Sequence, residues 1–210
     1  MNKIKVGIID YGAGNIFSII NMLRKLSVET IMIYDYTNLS EISHLIVPGV
    51  GSFDKAMFKL KTKKLDKFIF DFINSGKPFL GICLGMQILF SSSEEGGKHN
   101  GTNIIDGKVV SLNVDINDKS THVQWNKVKL VKEINKNEIL KTESYFYFAH
   151  RYAIYDFAPN KLTNFGLTFY GQKPILAYGH LNNIFFTQFH PEKSGINGIK
   201  FLKNFLEQIK

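Results

Sequence analysis

The stretch Pro78-Phe79-Leu80-Gly81-Ile82-Cys83-Leu84-Gly85-Met86-Gln87-Ile88-Leu89-Phe90 constrains the fold of this chain more than any other. Its first half is a short apolar run behind Lys77-Pro78 and reads as a buried strand. Its second half sets Leu84, Ile88 and, on the adjoining stripe, Leu89 at helical spacing. Between the halves lies the only cysteine, with a glycine two residues to either side. That is the Gly-x-nucleophile-x-Gly pattern of a strand-to-helix elbow, with Cys in place of Ser. The glycines permit a turn too tight for a Cβ and push the sulfur into the open at a helix N-terminus, where free N–H groups and the dipole favour a thiolate. The plainer alternative is a core cysteine packed as a small hydrophobe. The elbow needs a base from elsewhere.

Around this stretch the chain begins as alternating strands and helices. Ile4 to Ile9 is a continuous apolar strand, and Gly12-Ala13-Gly14-Asn15 a turn. Ile16, Ile19, Ile20 and Leu23 mark a helix face. Thr30–Tyr34 and Leu45–Val47 are further strands, the latter ended by Pro48-Gly49-Val50-Gly51-Ser52. A helical pattern runs from Phe53 to Asn74, broken near Thr62. Short apolar strands between helices predict an α/β fold, a mostly parallel central sheet flanked by helices. The second half changes character after a polar loop, Ser91 to Lys98. Ile104–Val114, Trp125–Val131, Tyr145–Ala149, Gly166–Tyr170, Ile175–His180 and Ile184–Phe189 read as antiparallel strands extending the sheet, before a final helix from Gly198 to Ile209. With no repeat, linker or composition break, 1–210 is expected to be a single domain.

The base is offered by Gln188-Phe189-His190-Pro191-Glu192. His190 follows an apolar strand and Glu192 lies two residues on, so extended geometry puts both side chains on one side. A carboxylate there can accept from one ring nitrogen and leave the other facing a nucleophile, as the third member of a triad does. The alternative is a strand-end histidine with Glu192 in solvent.

Composition bounds the class. Hydrophobic content of 44% and charged content of 21% predict a soluble globular protein with a sizeable core. A single cysteine excludes an intramolecular disulfide and suits a reducing compartment. The N-terminal apolar run is too short for a signal peptide, and none is long enough to span a membrane, so the cytoplasm is the default and no membrane partner is expected. The formal charge of +8 raises the question of nucleic acid. However, the lysines are scattered, and the densest run (Lys59, Lys61, Lys63, Lys64, Lys67) reads as a solvated face. The aromatic run Tyr145 to Tyr152 is explained by a half-buried strand more simply than by base stacking. No nucleic-acid partner is expected.

Gly-x-Cys-x-Gly-x-Gln at 81–87, followed late by His190-Pro191-Glu192, resembles the class I, triad-type glutamine amidotransferases. Asp10-Tyr11-Gly12-Ala13-Gly14-Asn15, Pro48-Gly49-Val50-Gly51-Ser52-Phe53, Ser92-Ser93-Glu94-Glu95-Gly96-Gly97 and His190-Pro191-Glu192-Lys193-Ser194 narrow the likeness to the glutaminase subunits of imidazole glycerol phosphate synthase, a family of histidine biosynthesis. It runs from Ile4 to Phe205. The resemblance implies that Cys83 attacks the carboxamide of glutamine to form a glutamyl thioester, with His190 as acid and base and Glu192 as its orienter. It implies an oxyanion hole from Leu84 and the Gly49-Val50-Gly51 loop, and glutamine held by Gln87 and by His150, Arg151 and Tyr152. No metal or organic cofactor is implied. The partner implied is a (β/α)₈-barrel synthase subunit, joined as a heterodimer with an ammonia channel, and Asn15, Trp125, Tyr147 and Lys193 match positions at or near that interface.

Two positions depart from the family pattern. Gln124 stands where the family has glycine, on the side expected to face the partner, and Arg151 stands where it has Ser or Thr, near the glutamine site. Neither removes a catalytic atom. Both leave open a paralogous glutaminase that feeds the amidination of an N-acetyl sugar for surface glycans. A catalytically silent regulatory scaffold is the third reading, against which the intact Cys83, His190 and Glu192 argue.

Overall fold

The structure, a computed structural model, describes residues 4–12, 15–112, 121–131, 139–140, 143–171 and 173–208. In chain order its elements are β1 (Lys5–Ile9), α1 (Ile16–Lys25), β2 (Glu29–Ile33), β3 (His44–Val47), α2 (Phe53–Thr62), α3 (Leu65–Asn74), β4 (Phe79–Ile82), α4 (Leu84–Gln87), β5 (Phe90–Ser93), β6 (His99–Asn100), β7 (Ile105–Ser111), β8 (His122–Leu130), β9 (Ser144–His150), β10 (Tyr152–Phe157), β11 (Asn164–Tyr170), β12 (Lys173–Leu181), β13 (Ile184–Thr187) and α5 (Gly195–Leu206).

The apolar runs become a sheet covered on both faces. Successive residues of β1, β3 and β4 alternate between two cores: Ile9, Leu45, Val47 and Phe79 join one, whereas Ile8, Ile46, Leu80 and Ile82 join the other. The first core is closed by α2 and α3 through Phe53, Leu60, Phe68 and Phe72, the second by α1 and α5 through Ile19, Leu23, Phe201 and Phe205. Each such side chain contributes roughly 1.5–3 kcal/mol on full burial, so the two faces together hold the sheet rigid. The break between α2 and α3 falls where the sequence placed it, with Lys64 at φ 57° turning the chain. Lys59 and Lys63 of the lysine run reach back to the carbonyls of Gly12 and Asp10, so that face is not wholly solvated.

The large sheet runs β2-β1-β3-β4-β13-β12-β11-β8-β9. β2, β1, β3, β4 and β13 are parallel, and β12, β11, β8 and β9 extend them antiparallel. The antiparallel extension is therefore present, but three expectations change. β13 does not extend the edge; it inserts beside β4 as its parallel neighbour, which places the segment after it next to the elbow. β7 leaves the large sheet and joins β10, β5 and β6 in a second, four-stranded one. Ser91–Ser93 form part of β5 rather than a loop, and β10 was not anticipated because only Arg151 separates it from the aromatic run of β9.

The helix after Cys83 is a single turn. Ile88, Leu89 and Phe90 are all buried, so a continuing helix would have had to send one of them to solvent; the chain instead enters β5. The last helix begins at Gly195 and ends at Leu206, and the anticipated ends at Val114 and Ile209 lie outside the described residues. Among the described residues no helix is long and apolar enough to cross a membrane.

Candidate active site

The elbow is built by close approach. A Cβ on Gly85 would come within 1.8 Å of the Val47 carbonyl oxygen, and one on Gly81 within 2.5 Å of the Gly85 oxygen. Both glycines let β4 and α4 fold back on the end of β3. Cys83 between them takes φ 55° and ψ −110°, a conformation that costs a non-glycine residue about 1–3 kcal/mol. Its N–H donates to Thr187 O at 2.7 Å, and its carbonyl accepts from the N–H groups of Met86 and Gln87. Leu84 opens the turn, and its N–H has no intrahelical acceptor. With one helical turn the local field comes from such free N–H groups, not from a long dipole.

The loop after β3 lies directly against this elbow. A Cβ on Gly49 would meet Tyr11 Oη at 2.3 Å and Leu84 Cβ at 2.8 Å. Gly51, at φ 110°, has open space in front of it. Gly49 thus packs against Leu84, and Val50 and Gly51 share a cleft with it.

His190 ends the segment after β13, and the parallel pairing of β13 with β4 delivers it next to Cys83. Its Nδ1 lies 2.7 Å from Glu192 Oε1. The two residues meet through a 3₁₀ turn, Pro191–Lys193, rather than in extended backbone. Ser194 ties that turn down: its Oγ donates to His190 O at 2.6 Å and accepts from Tyr147 N at 3.0 Å. A Cβ on Gly198 would come within 1.8 Å of Pro191 O, so α5 braces the turn from below. Phe189 stacks on Phe146 at 4.0 Å. Both His190 and Glu192 are buried, and His190 Nε2 and Glu192 Oε2 have no hydrogen-bond partner among the described residues. Burial alone would depress the imidazole. The negative charge of a Cys83 thiolate and of Glu192 outweighs it and pushes His190 up to about 10.

A second set of polar groups is ordered by one backbone carbonyl. Tyr152 O accepts from Gln87 Nε2 at 3.0 Å and from His150 Nδ1 at 2.9 Å. The second proton of Gln87 Nε2 goes to Gln188 Oε1 at 3.0 Å, and Gln188 Nε2 lies 3.5 Å from Cys83 Sγ. On the other branch, His150 Nε2 lies 2.9 Å from His122 Nδ1. Because a carbonyl only accepts, His150 carries its proton on Nδ1, its Nε2 accepts, and His122 must donate from Nδ1. The His122 ring is sandwiched between Phe148 and Tyr170, at 4.6 and 4.4 Å. Burial holds His122 down to about 4; burial, with the neighbouring His122 and His190, holds His150 down to about 3.

A cleft of about 350 Å³, open to solvent, is lined by Val50, Gly51, Cys83, Leu84, Gln87, Glu95, Thr121, Val123, Ala149, His150, Arg151 and Tyr152. It gathers Cys83, most of the oxyanion candidates and all four anticipated glutamine-binding residues. The ring of His150 and both N–H groups of Gln87 are already committed, however. Glu95 went unremarked in the sequence except inside a motif. Its Oε2 accepts from Phe53 N at the start of α2, at 2.9 Å; burial raises its carboxyl, and that hydrogen bond and, less, Arg151 act against the rise. Gln188 was quoted only as a neighbour of His190. Its signal was its place two residues before His190.

The four anticipated partner-facing residues lie outside this cleft. Trp125 is exposed and meets Tyr147 edge-on at 6.1 Å, and Lys193 Nζ stands 5.7 Å over the Tyr147 ring. Asn15 is exposed at the start of α1, which packs against the Pro191–Lys193 turn. Gln124 projects to the opposite face of β8 from Trp125, where its amide donates to Asn126 Oδ1 at 2.8 Å. Among the described residues no three His, Cys, Asp or Glu side chains converge to hold a metal ion.

Residues 7–209 match the family model for glutamine amidotransferase class-I. The chain is 41% identical over 203 residues to the imidazole glycerol phosphate synthase subunit HisH of Sulfurimonas denitrificans, covering 95% of this chain and 96% of that one. It is 42% identical over 202 residues to the HisH subunit of Methanocaldococcus jannaschii, covering 96% and 98%. Among solved structures it is similar in fold to PurLQS from Thermotoga maritima, with a TM-score of 0.75 at 16% identity over 97% of this chain and 98% of that one. A second, a glutamine amidotransferase, gives 0.71 at 15% identity, covering 96% and 97%.

Proposed function

The chain belongs to the class-I glutamine amidotransferases and, within them, to the HisH subunits of imidazole glycerol phosphate synthase, and on that premise we propose how its residues carry out the reaction. The activity is that of the glutaminase subunit in histidine biosynthesis: glutamine is hydrolysed to glutamate, and the ammonia is supplied to a synthase partner subunit. Residues 1–210 act as one glutamine amidotransferase domain, a reading supported by the continuity of the large sheet through both halves.

Glutamine enters the cleft with its carboxamide at the elbow. Cys83 Sγ, as thiolate, attacks the carboxamide carbon, and the carbonyl π electrons move to oxygen. The N–H of Leu84 and one from Gly49-Val50-Gly51 receive that oxyanion. His190, charged and oriented by Glu192, gives its Nε2 proton to the leaving nitrogen; the C–N bond breaks, ammonia departs and a glutamyl thioester remains. The now neutral His190 takes a proton from water as it attacks the thioester. Collapse expels the thiolate and releases glutamate. Glu95 and Arg151 are placed to receive the α-ammonium and α-carboxylate of the substrate, with backbone groups at His150–Tyr152 and the free Oε1 of Gln87 completing the site. Arg151, the departure from Ser or Thr, thereby gains a charge-matched task.

Ammonia must reach the partner without meeting bulk water, because at neutral pH it would become ammonium and lose its nucleophilic pair. We assign the ground beside the triad, exposed Asn15, Trp125 and Lys193 with half-buried Tyr147, to a joint with a barrel-shaped synthase subunit, in a heterodimer with an ammonia channel. The observation that carries the whole reading is the meeting of Cys83 with the Glu192-held His190 from distant parts of the chain. The test is incubation with a glutamine-mimicking electrophile: mass added at Cys83 supports it, and labelling elsewhere with Cys83 untouched overturns it. The near-complete match to histidine-pathway subunits favours this acceptor over the sugar-amidinating alternative.

A further inference from the structure

The mechanism above leaves one buried group beside the sulfur without a task. Gln188 is fully buried, and its Nε2 lies 3.5 Å from Cys83 Sγ. Which end of an amide faces a neighbour is decided by its hydrogen bonds, and here the assignment is forced. Tyr152 O can only accept, so the group of Gln87 facing it is the NH₂. The same nitrogen donates its other proton to Gln188, so the facing atom of Gln188 is its oxygen. Gln188 is then left with its NH₂ toward sulfur. The chain of bonds runs from one backbone carbonyl through two side chains to the nucleophile.

We propose that Gln188 is a positioning residue for the nucleophile: it donates a hydrogen bond to the Cys83 thiolate, and Gln87, held by Tyr152 O, keeps it from turning its carbonyl to the sulfur. This rests on Cys83 being the nucleophile. A thiolate with no fixed donor is free to swing about χ1; an N–H from the buried Gln188 amide holds the sulfur in place and increases the charged fraction at neutral pH. The reversed amide would place a carbonyl dipole against the anion and do the opposite. Two glutamines 101 residues apart in sequence thus act as one oriented unit, which also explains why Gln87 spends both N–H groups on the protein rather than on substrate.

The probe is iodoacetamide, which reacts with thiolate and needs no substrate site, applied to the whole chain between pH 6 and 10 with Cys83 labelling read by mass. Gln188→Met, close in volume and lacking the donor, should slow alkylation at pH 7 about tenfold, the effect of losing a hydrogen bond to a charged group, and leave the rate at pH 10 unchanged. Gln87→Glu leaves Gln188 in place but replaces its donor by an acceptor, so the amide reverses; the same pH-dependent slowing should follow. If Gln188→Met does not fold, Gln87→Glu decides alone. A packing role would lower thermal stability without shifting the pH profile, and a wild-type profile in the folded variants overturns the proposal. Failure of the wild-type chain to label at Cys83 would instead reject the nucleophile itself.

Discussion

Gly85 lies so close to Val47 that a Cβ would stand 1.8 Å from the Val47 carbonyl oxygen. The contact is with backbone, which cannot swing aside. Gly85→Ala should therefore destabilise by more than the roughly 1–3 kcal/mol typical of overpacking, measured by urea denaturation. Gly51→Ala has free space but a φ of 110°, and should cost only about 1 kcal/mol while impairing glutamine turnover. Equal stability losses in the two variants would contradict this division.

Cys83→Ala and His190→Ala should each abolish glutamine hydrolysis, because nucleophile and base act as a unit. Glu192→Gln should retain more turnover than these two, though reduced about 10⁴-fold, since the carboxylate orients the ring without reacting. Undiminished hydrolysis in Cys83→Ala, assayed by glutamate release, would remove the mechanism.

Three imidazoles are held neutral by burial: His44 and His122 down to about 4, and His150 down to about 3. Unfolded, each takes up a proton near pH 6.5; folded, each resists it. The unfolded state therefore binds more protons below pH 6.5, and stability falls from there to about pH 4. Each contributes on the order of 1 kcal/mol per pH unit within that window. His190 runs the other way: its raised value adds stability that is complete below pH 6.5 and is lost as pH rises through its folded value. Urea midpoints should peak near neutral pH, and His44→Gln should flatten the acid limb. A midpoint constant from pH 7 to pH 4.5 would refute this.

Completion of the oxyanion hole by a loop with two glycines makes two backbone states accessible. The chain alone should turn glutamine over about 10²–10³-fold more slowly than with its synthase partner, the magnitude of one oxyanion donor. Full turnover without partner would show the hole to be complete already.

Trp125→Ala and Lys193→Ala should leave alkylation of Cys83 unchanged and lower partner-stimulated hydrolysis by about tenfold, as interface anchors do. Reduced labelling of Cys83 in the isolated variants would move these residues from the joint to the site itself.

The sequence by itself determined the elbow, the parallel half and the motif residues. Glycines at 81 and 85, a cysteine between them and a histidine before Pro-Glu are local facts, and an apolar run such as Leu45–Val47 is buried whatever its neighbours. Only the tertiary structure decided which strand those runs would sit beside. The alternation of β7 identifies its buried face but not its sheet, and nothing in Ile184–Thr187 says that it will lie parallel to β4 and so bring His190 to Cys83. Pairing of distant strands depends on the registers of both and on the loops between them, none of which is a property of one segment. The relay from Tyr152 is hidden more deeply still. Its organising atom is a backbone carbonyl, which every residue carries alike, and its direction follows from where that oxygen finds the Gln87 amide and the His150 imidazole once the core has closed.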